Sequence, residues 1–480
     1  MVVGLPREGL TPAWEQDFAA SPPAGVIVFR RDFRDLDDLR RLTGRLRGLA
    51  RPGRLFVATD EEGGFVSQLG GHLTVPPNAA LLARGGTPED VERAARVTGG
   101  RLRALGVDWV FAPVADVNDL GANPVIGPRA YGTDAAAAAR GVAAAVRGFV
   151  AARAGCCLKH FPGHGSTALD SHLALPVCDA DRATLERRDL EPFRAGRDAG
   201  AGAVMTAHVV YPALDPARPA TFSPAVAGGL LRDTLGFEGV CITDALEMQG
   251  AAAGRTPLEA ARLALEAGCD LLLFAHHDPG LPALRDALAQ DLEAGRLDRA
   301  RLERSRARID AFAVAVPEPA GDELARPLES LTPPGWEEWL EGIAGHGLVV
   351  RGALPPGSAT LPWHVEEPEC AYGPGFRGCL GNAGVPLPLL VTAPGAARAG
   401  VTLHVVAKAE RRPLEPAELE RLRALCRAHP TALVGLANDG FLDDLPEAAV
   451  RISAADATPP TRRLVARTLT RLWREAGGTA

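Results

Sequence analysis

Short apolar runs and amphipathic stretches take turns from the first residue to about residue 315. The apolar runs are rich in β-branched residues and do not alternate cleanly with polar ones, which is typical of strands buried on both faces. They are MVVGLP (1–6), GVIVF (25–29), LFVATD (55–60), VDWVFAP (107–113), CCLKHF (156–161), GAVMTAH (202–208), GVCITD (239–244) and CDLLLFA (269–275). The stretches between them, such as 35–50 and 135–155, combine Ala, Arg, Leu and Glu with helical spacing. This order predicts an α/β fold, a (β/α)8 TIM-type barrel, with a doubly wound open sheet as the alternative because periodicity does not separate the two.

Three Thr-Pro pairs mark predicted helix starts at Thr11-Pro12, Thr87-Pro88 and Thr256-Pro257. A threonine side chain can cap the first free backbone N–H groups of a helix, and proline fits the first helical position. Glu259 follows Thr256 at the spacing of a capping box. We therefore expect a helix to begin at each of these prolines.

The composition changes after the eighth apolar run. Residues 317–335 contain five prolines and few apolar side chains, which is typical of a linker. Beyond them, the strand-like runs GLVVRG, VTLHVVAK, TALVGLA and AVRISA alternate with two predicted helices at 416–428 and 460–475. We predict a barrel over 1–316, a linker over 317–335, and a smaller α/β domain with a three-layer, sandwich-like arrangement over 336–480.

Composition and charge narrow the classes of function. Of 480 residues, 46% are hydrophobic and 23% are charged, as in a soluble globular protein with a sizeable core. The net charge is −7 and no Lys/Arg block stands out, so a nucleic-acid partner is not expected. The N-terminus lacks the parts of a signal peptide, and no apolar run is long enough to span a membrane. We expect a cytoplasmic protein.

The eight cysteines show no disulfide framework. Cys156, Cys157, Cys241 and Cys269 lie in apolar runs and fit reduced thiols in the core of a cytoplasmic protein. A disulfide between Cys370 and Cys379, nine residues apart, is left open.

Polar side chains stand where several predicted strands end. In a barrel of this kind, catalytic groups lie at the carboxyl ends of the strands and on the loops that follow. The residues at such positions are Asp60, Lys159, His160, His208 and Asp244. One such aspartate alone would fit a helix cap, and one such histidine alone would fit a structural role. Their shared placement at one rim indicates a site.

The stretch KHFPGHGSTALDSH, from Lys159 to His172, gathers further proton-handling groups on a loop broken by Gly and Pro. Its histidines His160, His164 and His172 have spacings of four and eight residues, which match no trusted zinc pattern. We expect no metal and no organic cofactor.

The motifs together resemble those of family 3 glycoside hydrolases, and in particular the β-N-acetylglucosaminidase branch. They are the loop just quoted, DEEGG (60–64), FAPVADVN (111–118), IGPRAYG (126–132), MTAHVVYPALD (205–215) and LGFEGVCITDALEM (235–248). They run in order across roughly residues 1–310. The resemblance implies a barrel, and retaining hydrolysis of terminal β-linked N-acetylglucosamine, whose best-known role is recycling of peptidoglycan fragments in the bacterial cytoplasm. The expected partner is a small carbohydrate, either an N-acetylglucosamine-containing saccharide or a muropeptide.

The resemblance also implies roles for individual residues. Asp244 matches the nucleophile that forms a covalent glycosyl-enzyme. His172 matches the general acid/base, and Asp170 its partner in a dyad. The positions that match sugar-binding residues are Asp60, Arg129, Lys159 and His160, with His208 in a lesser binding role.

The proposed acid/base departs from the usual pair of carboxylates in retaining glycosidases. A histidine with an ordinary pKa near 6.5 is present in both protonation states at neutral pH, so it can donate a proton in one step and accept one in the next. Asp170, two residues before His172, could bond one ring nitrogen and fix its tautomer.

Two features of the sequence leave alternatives open. The family pattern R-V-x-R after DxEGG is here Phe65-Val66-Ser67-Gln68, and the second arginine would normally contact the sugar. The fine specificity is therefore open. The alternatives are a family 3 enzyme for another β-glycoside, a β-N-acetylglucosaminide phosphorylase, and a non-catalytic sugar-binding protein.

Overall fold

The computed structural model describes residues 1–120, 123–167, 175–354, 363–366, 390–391, 403–408, 414–436 and 440–476. The chain forms two compact units. The barrel unit comprises Met1–Glu62, Pro88–Leu120 and Ala130–Thr332, and the second unit comprises Gly63–Thr87, Gly121–Arg129 and Pro333–Ala480. Each unit is considered below by itself.

The strands of the barrel unit are short, and those that close the barrel are parallel. They are β1 (Val2–Gly4), β2 (Gly25–Ile27), β3 (Phe56–Thr59), β4 (Trp109–Val110), β5 (Gly155–Phe161), β6 (Ala203–Thr206), β7 (Val210–Tyr211), β8 (Asp215–Pro219), β9 (Val240–Ala245) and β10 (Leu271–Phe274). All of these except β7 and β8 close a barrel in the order β1-β10-β9-β6-β5-β4-β3-β2. Strands β7 and β8 pair with each other in an antiparallel hairpin. The predicted barrel is confirmed, and each predicted apolar run contributes one of its strands.

The α-helices follow the amphipathic stretches of the sequence. Those in the described residues are α1 (Pro12–Ala20), α2 (Leu36–Ala50), α3 (Ala79–Gly85), α4 (Pro88–Ala104), α5 (Ala135–Ala151), α6 (Arg182–Thr184), α7 (Leu190–Asp198), α8 (Gln249–Ala252), α9 (Pro257–Ala267), α10 (Leu281–Glu293), α11 (Arg299–Ala315), α12 (Trp336–Gly347), α13 (Pro416–Ala428) and α14 (Pro459–Glu475). Short 3-10 turns cover Arg30–Asp32, Gly127–Arg129, Ala220–Phe222, Leu328–Leu331 and Gly440–Leu442, and π-helical segments cover Leu185–Asp189 and Ala225–Thr234.

The predicted helix starts at the Thr-Pro pairs are confirmed. Thr11 accepts a hydrogen bond from the backbone N–H of Trp14 at 3.2 Å, and α1 begins at Pro12. Helix α4 begins at Pro88. Thr256 and Glu259 form a reciprocal capping box at the start of α9.

One end of the barrel is filled by an aromatic cluster. The ring of Phe312, on α11, lies 5.0 Å from Trp109 and 5.2 Å from Phe56, centroid to centroid. A Cβ atom on Gly155 or Gly202, at the starts of β5 and β6, would lie 2.7 Å from this ring, so glycine makes room for it. The aromatic cluster therefore closes the amino-terminal end and leaves the carboxyl ends of the strands available for a site.

The second unit contains a mixed sheet. Its strands are β11 (Val349–Gly352), β12 (Trp363–Glu366), β13 (Leu390–Val391), β14 (Leu403–Lys408), β15 (Thr431–Gly435) and β16 (Val450–Ser453). They follow the order β11-β16-β15-β14-β12-β13, with β11 antiparallel to β16 and the other neighbours parallel. The apolar face of α14, including Val465, Leu469 and Trp473, packs in the core with β15 and β16. The predicted smaller α/β domain is confirmed as a fold class.

A buried hydrogen-bond network joins distant segments of the second unit. The carboxylate of Asp456, which is fully buried, accepts from the backbone N–H of Asn78 at 3.0 Å. The Asn78 side chain donates to the carbonyl of Ala455 at 3.0 Å and accepts from the N–H of Phe65 at 3.0 Å. These bonds attach the loop after β3 to the segment between β16 and α14.

The division into domains at residues 316 and 336 stays a prediction. Within the predicted linker, Glu323 receives a hydrogen bond from Arg103 of α4 at 2.6 Å, and the carbonyl of Pro317 receives another at 2.9 Å. Arg101, also on α4, donates to the carbonyl of Leu331 at 2.8 Å. Residues 317–331 are thus held within the barrel unit.

The four cysteines predicted to lie in the core are buried with free thiols, as are Cys178 and Cys426. Cys370 and Cys379 lie outside the described residues. In the part of the chain that the structure describes, no helix combines the length and the apolar character that crossing a membrane requires.

Candidate active site at the carboxyl end of the barrel

A lysine bridges two carboxylates at the carboxyl ends of β3 and β5. The ammonium of Lys159 lies 2.6 Å from Asp60 Oδ1 and 2.6 Å from Glu62 Oε1. The Lys159 and Glu62 side chains are almost fully buried, whereas that of Asp60 is 23% exposed. Asp60 follows β3 directly and Lys159 lies in β5, so the barrel brings these charges together from positions almost a hundred residues apart. The more open carboxylate, Asp60, is the one that can meet a ligand.

A second buried carboxylate organises the start of the histidine-rich loop. Asp116 Oδ2 lies 2.8 Å from His160 Nδ1, and Oδ1 accepts from the backbone N–H of His164 at 2.6 Å. Burial opposes ionisation of Asp116, but the His160 ring and the His164 N–H outweigh it and lower the pKa of this carboxyl. An ionised Asp116 accepts the Nδ1 hydrogen of His160, so Nε2 is the ring nitrogen that can bond a ligand.

His164 is 1% exposed and its Nδ1 lies 2.7 Å from the hydroxyl of Thr167. Burial, together with a smaller contribution from the nearby His160, lowers its pKa to about 4. His164 is therefore neutral at pH 7.

Asp244 lies near the carboxyl end of β9 and is partly exposed. Its Oδ1 accepts from the backbone N–H of Ala245 at 2.8 Å. Burial acts to raise the pKa of Asp244, but the electrostatic influence of His208 and His160 outweighs it and lowers the pKa. The Ala245 N–H and Lys159 act in the same direction, so the carboxylate stays ionised over a wide pH range.

His208, two residues beyond β6, is fully buried. Its Nδ1 lies 2.8 Å from the hydroxyl of Thr221, and its Nε2 lies 2.9 Å from the carbonyl oxygen of Ala245. Burial lowers the pKa of His208, which favours the neutral ring.

The structure thus gathers Asp60, Lys159, His160, His208 and Asp244 in the barrel unit, where the sequence placed them at strand ends. Arg129 belongs to the second unit, where its guanidinium donates to the carbonyl of Val125 at 3.0 Å. Asp170 and His172 lie outside the described residues.

Sequence reasoning overlooked two carboxylates of the site, Glu62 and Asp116. Glu62 stands two residues after Asp60 in DEEGG, and period-two alternation could have placed both on the side of Lys159. Asp116 follows β4 within FAPVADVN, so the strand-end rule applied to the other candidates would have found it.

Among the described residues, no group of three or more His, Cys, Asp and Glu side chains is placed to hold a metal ion. The site instead offers an accessible ionised carboxylate, Asp244, and close beside it charged and hydrogen-bonding side chains that suit a ligand rich in hydroxyl groups. An ionised carboxylate at the carboxyl ends of the strands of a parallel barrel is an arrangement that glycoside hydrolases use.

Comparison with known proteins agrees with this class. Residues 15–312 match the family described as "Glycosyl hydrolase family 3 N terminal domain". The chain therefore belongs to glycosyl hydrolase family 3 and is a glycoside hydrolase, which confirms the resemblance seen in its motifs.

Individual relatives cover different parts of the chain. A protein named beta-hexosaminidase from Chromobacterium violaceum is 39% identical over 324 residues, which make up 65% of this chain and 90% of the relative. Another beta-hexosaminidase, from Alkalilimnicola ehrlichii, is 42% identical over 270 residues, 54% of this chain and 76% of the relative. A solved glycoside hydrolase family 3 beta-N-acetylglucosaminidase from Paenibacillus sp. str. FPU-7 is 31% identical, with a TM-score of 0.88 over 98% of this chain and 95% of that one.

Proposed function

We propose that this chain is a retaining exo-β-N-acetylglucosaminidase that cleaves terminal β-linked N-acetylglucosamine through a covalent bond to Asp244. The observation that carries the proposal is the Asp244 carboxylate, partly exposed at the carboxyl end of β9 and held ionised by its surroundings. The names of the two beta-hexosaminidases and of the Paenibacillus enzyme support the choice of sugar.

In the first step, Asp244 attacks the anomeric carbon while the glycosidic bond breaks. Because Oδ1 accepts the N–H of Ala245, Oδ2 is the oxygen expected to attack. His172 donates its proton to the departing glycosidic oxygen, so the leaving group departs as an alcohol. The product of this step is a glycosyl ester on Asp244.

In the second step, water attacks the anomeric carbon and His172 accepts a proton from it, which frees the sugar with its original configuration and restores the Asp244 carboxylate. Asp170 would orient the imidazole and stabilise its charged form. Both residues belong to the segment between Thr167 and Pro176. On the near side, the Thr167 hydroxyl bonds His164, and on the far side the carbonyl of Pro176 accepts from the N–H of Val210 at 2.9 Å.

The sugar hydroxyls and the N-acetyl group would be bound by Asp60, Lys159 and His160. The exposed fraction of Asp60 and its bond to Lys159 suit a carboxylate that accepts from a hydroxyl while the lysine donates to a neighbouring one. Nε2 of His160 is available for the same purpose because Asp116 occupies Nδ1.

The natural substrate is proposed to be an N-acetylglucosamine-containing saccharide or a muropeptide, in line with peptidoglycan recycling in the cytoplasm. A direct test compares hydrolysis of 4-nitrophenyl β-N-acetylglucosaminide with that of the matching β-glucoside. Clear preference for the N-acetylated substrate supports the proposal. Preference for the glucoside contradicts it and directs attention to Gln68, which stands where the family usually has a sugar-binding arginine.

The same assay with and without inorganic phosphate distinguishes hydrolysis from phosphorolysis. The proposal predicts equal rates and free N-acetylglucosamine as the product. Formation of the sugar 1-phosphate would instead identify a phosphorylase. The acid/base role is tested with His172→Ala, which should spare substrates with good leaving groups more than those with poor ones. An equal loss on both would contradict that role.

A further inference from the structure

His208 occupies a closed pocket of protein atoms beside the nucleophile. Its side chain is fully buried, and its ring lies 6.5 Å from that of Phe222, nearly parallel to it. Both ring nitrogens have partners within hydrogen-bond distance, the hydroxyl of Thr221 and the carbonyl of Ala245. The ring therefore has no nitrogen left to offer to a sugar hydroxyl.

Hydrogen-bond accounting fixes the tautomer of His208. A carbonyl oxygen only accepts, so Nε2 must carry the hydrogen that it donates to Ala245 at 2.9 Å. In the neutral ring Nδ1 is then an acceptor, and the Thr221 hydroxyl is the donor that faces it at 2.8 Å.

Thr221 is itself held in place. Its oxygen accepts from the hydroxyl of Thr206 at 3.0 Å, and its hydroxyl is within donating distance of the carbonyl of Ala207, at 3.0 Å, as well as of the His208 ring. Donation to the His208 ring is the choice that gives Nδ1 of a neutral ring a partner. The buried contacts from Thr206 to Thr221 and from Thr221 to His208 hold the imidazole with its Nε2–H directed at the Ala245 carbonyl.

The group that accepts the hydrogen bond from His208 Nε2 is the carbonyl of Ala245, the residue after Asp244. Ala245 donates its N–H to Asp244 Oδ1 at 2.8 Å and accepts from His208 at its carbonyl. The bond to its carbonyl restrains the residue whose N–H holds Oδ1 of Asp244, and Oδ2 is then the oxygen expected to react.

We propose that His208 is a positioning residue for Asp244, acting through the backbone of Ala245 and held at its other ring nitrogen by the Thr221 hydroxyl. The proposal rests on the role of Asp244 in the proposed function. It replaces the sugar-binding role that the resemblance implied for His208. A positioning residue alters how well the nucleophile reacts, whereas a sugar ligand alters how tightly substrate binds, so the two roles separate in kcat and KM.

The test compares three variants of the full chain on an aryl β-N-acetylglucosaminide. Thr221→Val removes the hydroxyl and keeps the shape, His208→Leu removes both ring nitrogens, and His208→Gln restores a side-chain N–H that can reach Ala245. Thr43→Val is the matched control, because Thr43 is 1% exposed and its hydroxyl donates to backbone carbonyls elsewhere in the barrel unit.

We expect Thr221→Val to lower kcat about tenfold with KM unchanged, the size of effect that one lost hydrogen bond produces. His208→Leu should lower kcat further, His208→Gln should recover part of that loss, and Thr43→Val should leave kcat unchanged. A raised KM with kcat kept in Thr221→Val or His208→Leu overturns the proposal. So does an equal loss of kcat in His208→Leu and His208→Gln.

If His208→Leu does not fold, Thr221→Val still tests the proposal. It exchanges one hydroxyl for a methyl group of similar size and therefore disturbs the fold less. Failure of the proposed function looks different. If the wild type cleaves only another aryl glycoside, the choice of sugar is wrong, and the same comparison of kcat and KM on that glycoside still tests His208.

Discussion

Acidification should destabilise the barrel unit, and His164 should account for a measurable part of the loss. The imidazole is 1% exposed, and burial lowers its pKa to about 4 from the ordinary value of 6.5. In the unfolded chain the ring takes up a proton as the pH falls through 6.5, whereas in the folded chain it does so only near pH 4. The stabilising effect of keeping this histidine neutral is therefore complete above pH 6.5 and is lost as the pH falls from about 6.5 to about 4.

The size of the effect follows from the two pKa values. The distance between 6.5 and about 4, at roughly 1.4 kcal/mol for each pH unit, corresponds to about 3 kcal/mol of unfolding free energy. That is a large share of the roughly 5–15 kcal/mol that stabilises a typical domain. The nearby His160 lowers the pKa of His164 and Asp116 raises it, and the value of about 4 includes both effects.

Differential scanning calorimetry between pH 7.5 and pH 4 provides the measurement, with His164→Gln as the variant. This variant should be less stable than the wild type at pH 7.5, but it should lose about 3 kcal/mol less on acidification because glutamine does not titrate. His346→Gln, at an exposed histidine of the second unit, is the control for replacing a histidine by glutamine. If His164→Gln loses as much stability on acidification as the wild type, the assignment of His164 as a buried neutral ring is refuted.

Two substitutions test the packing of the units. Trp109→Ala should cost about 3–5 kcal/mol of unfolding free energy, because the fully buried indole contacts Phe56 and Phe312 in the aromatic cluster. Denaturant titration measures this cost, and a value below about 1 kcal/mol would contradict the packing described. Asp456→Ala should lower the stability of the second unit by about 2 kcal/mol, because the N–H of Asn78 would lose its buried acceptor; an unchanged thermal midpoint would argue against that network.

Much of the barrel could be predicted because its strands are buried on both faces. Runs such as LFVATD and GVCITD end on Asp60 and Asp244, and closure of a parallel barrel brings those ends to one rim whatever the loops do. The same rule located Lys159 and His160. The pattern of apolar runs was therefore enough to predict the barrel and the main charged residues of the site.

What the sequence did not reveal depends on register and burial. Asp116 binds His160 and His164 because β4 and β5 are neighbours, a pairing across more than forty residues that no local pattern encodes. His208 stands at a strand end like a ligand, and only the structure places Thr221 and Ala245 against both of its nitrogens.

The segment 63–87 of the second unit could not be placed from the sequence either. This segment follows a barrel strand in sequence, and Asn78 within it bonds Asp456, nearly four hundred residues away. Such a pairing depends on tertiary contacts that composition and spacing do not record.

The central claim, a covalent sugar on Asp244, is tested most directly by trapping it. The wild type is treated with an N-acetylglucosaminyl fluoride that carries a second fluorine on the ring to slow release, then digested, and its peptides are analysed by mass spectrometry. The surface variant Asp233→Asn serves as a labelling control and Asp244→Asn as the negative. The account predicts one added sugar on the peptide that contains Asp244, present in Asp233→Asn and absent in Asp244→Asn. A sugar bound to any other residue, or full turnover by Asp244→Asn, would contradict it.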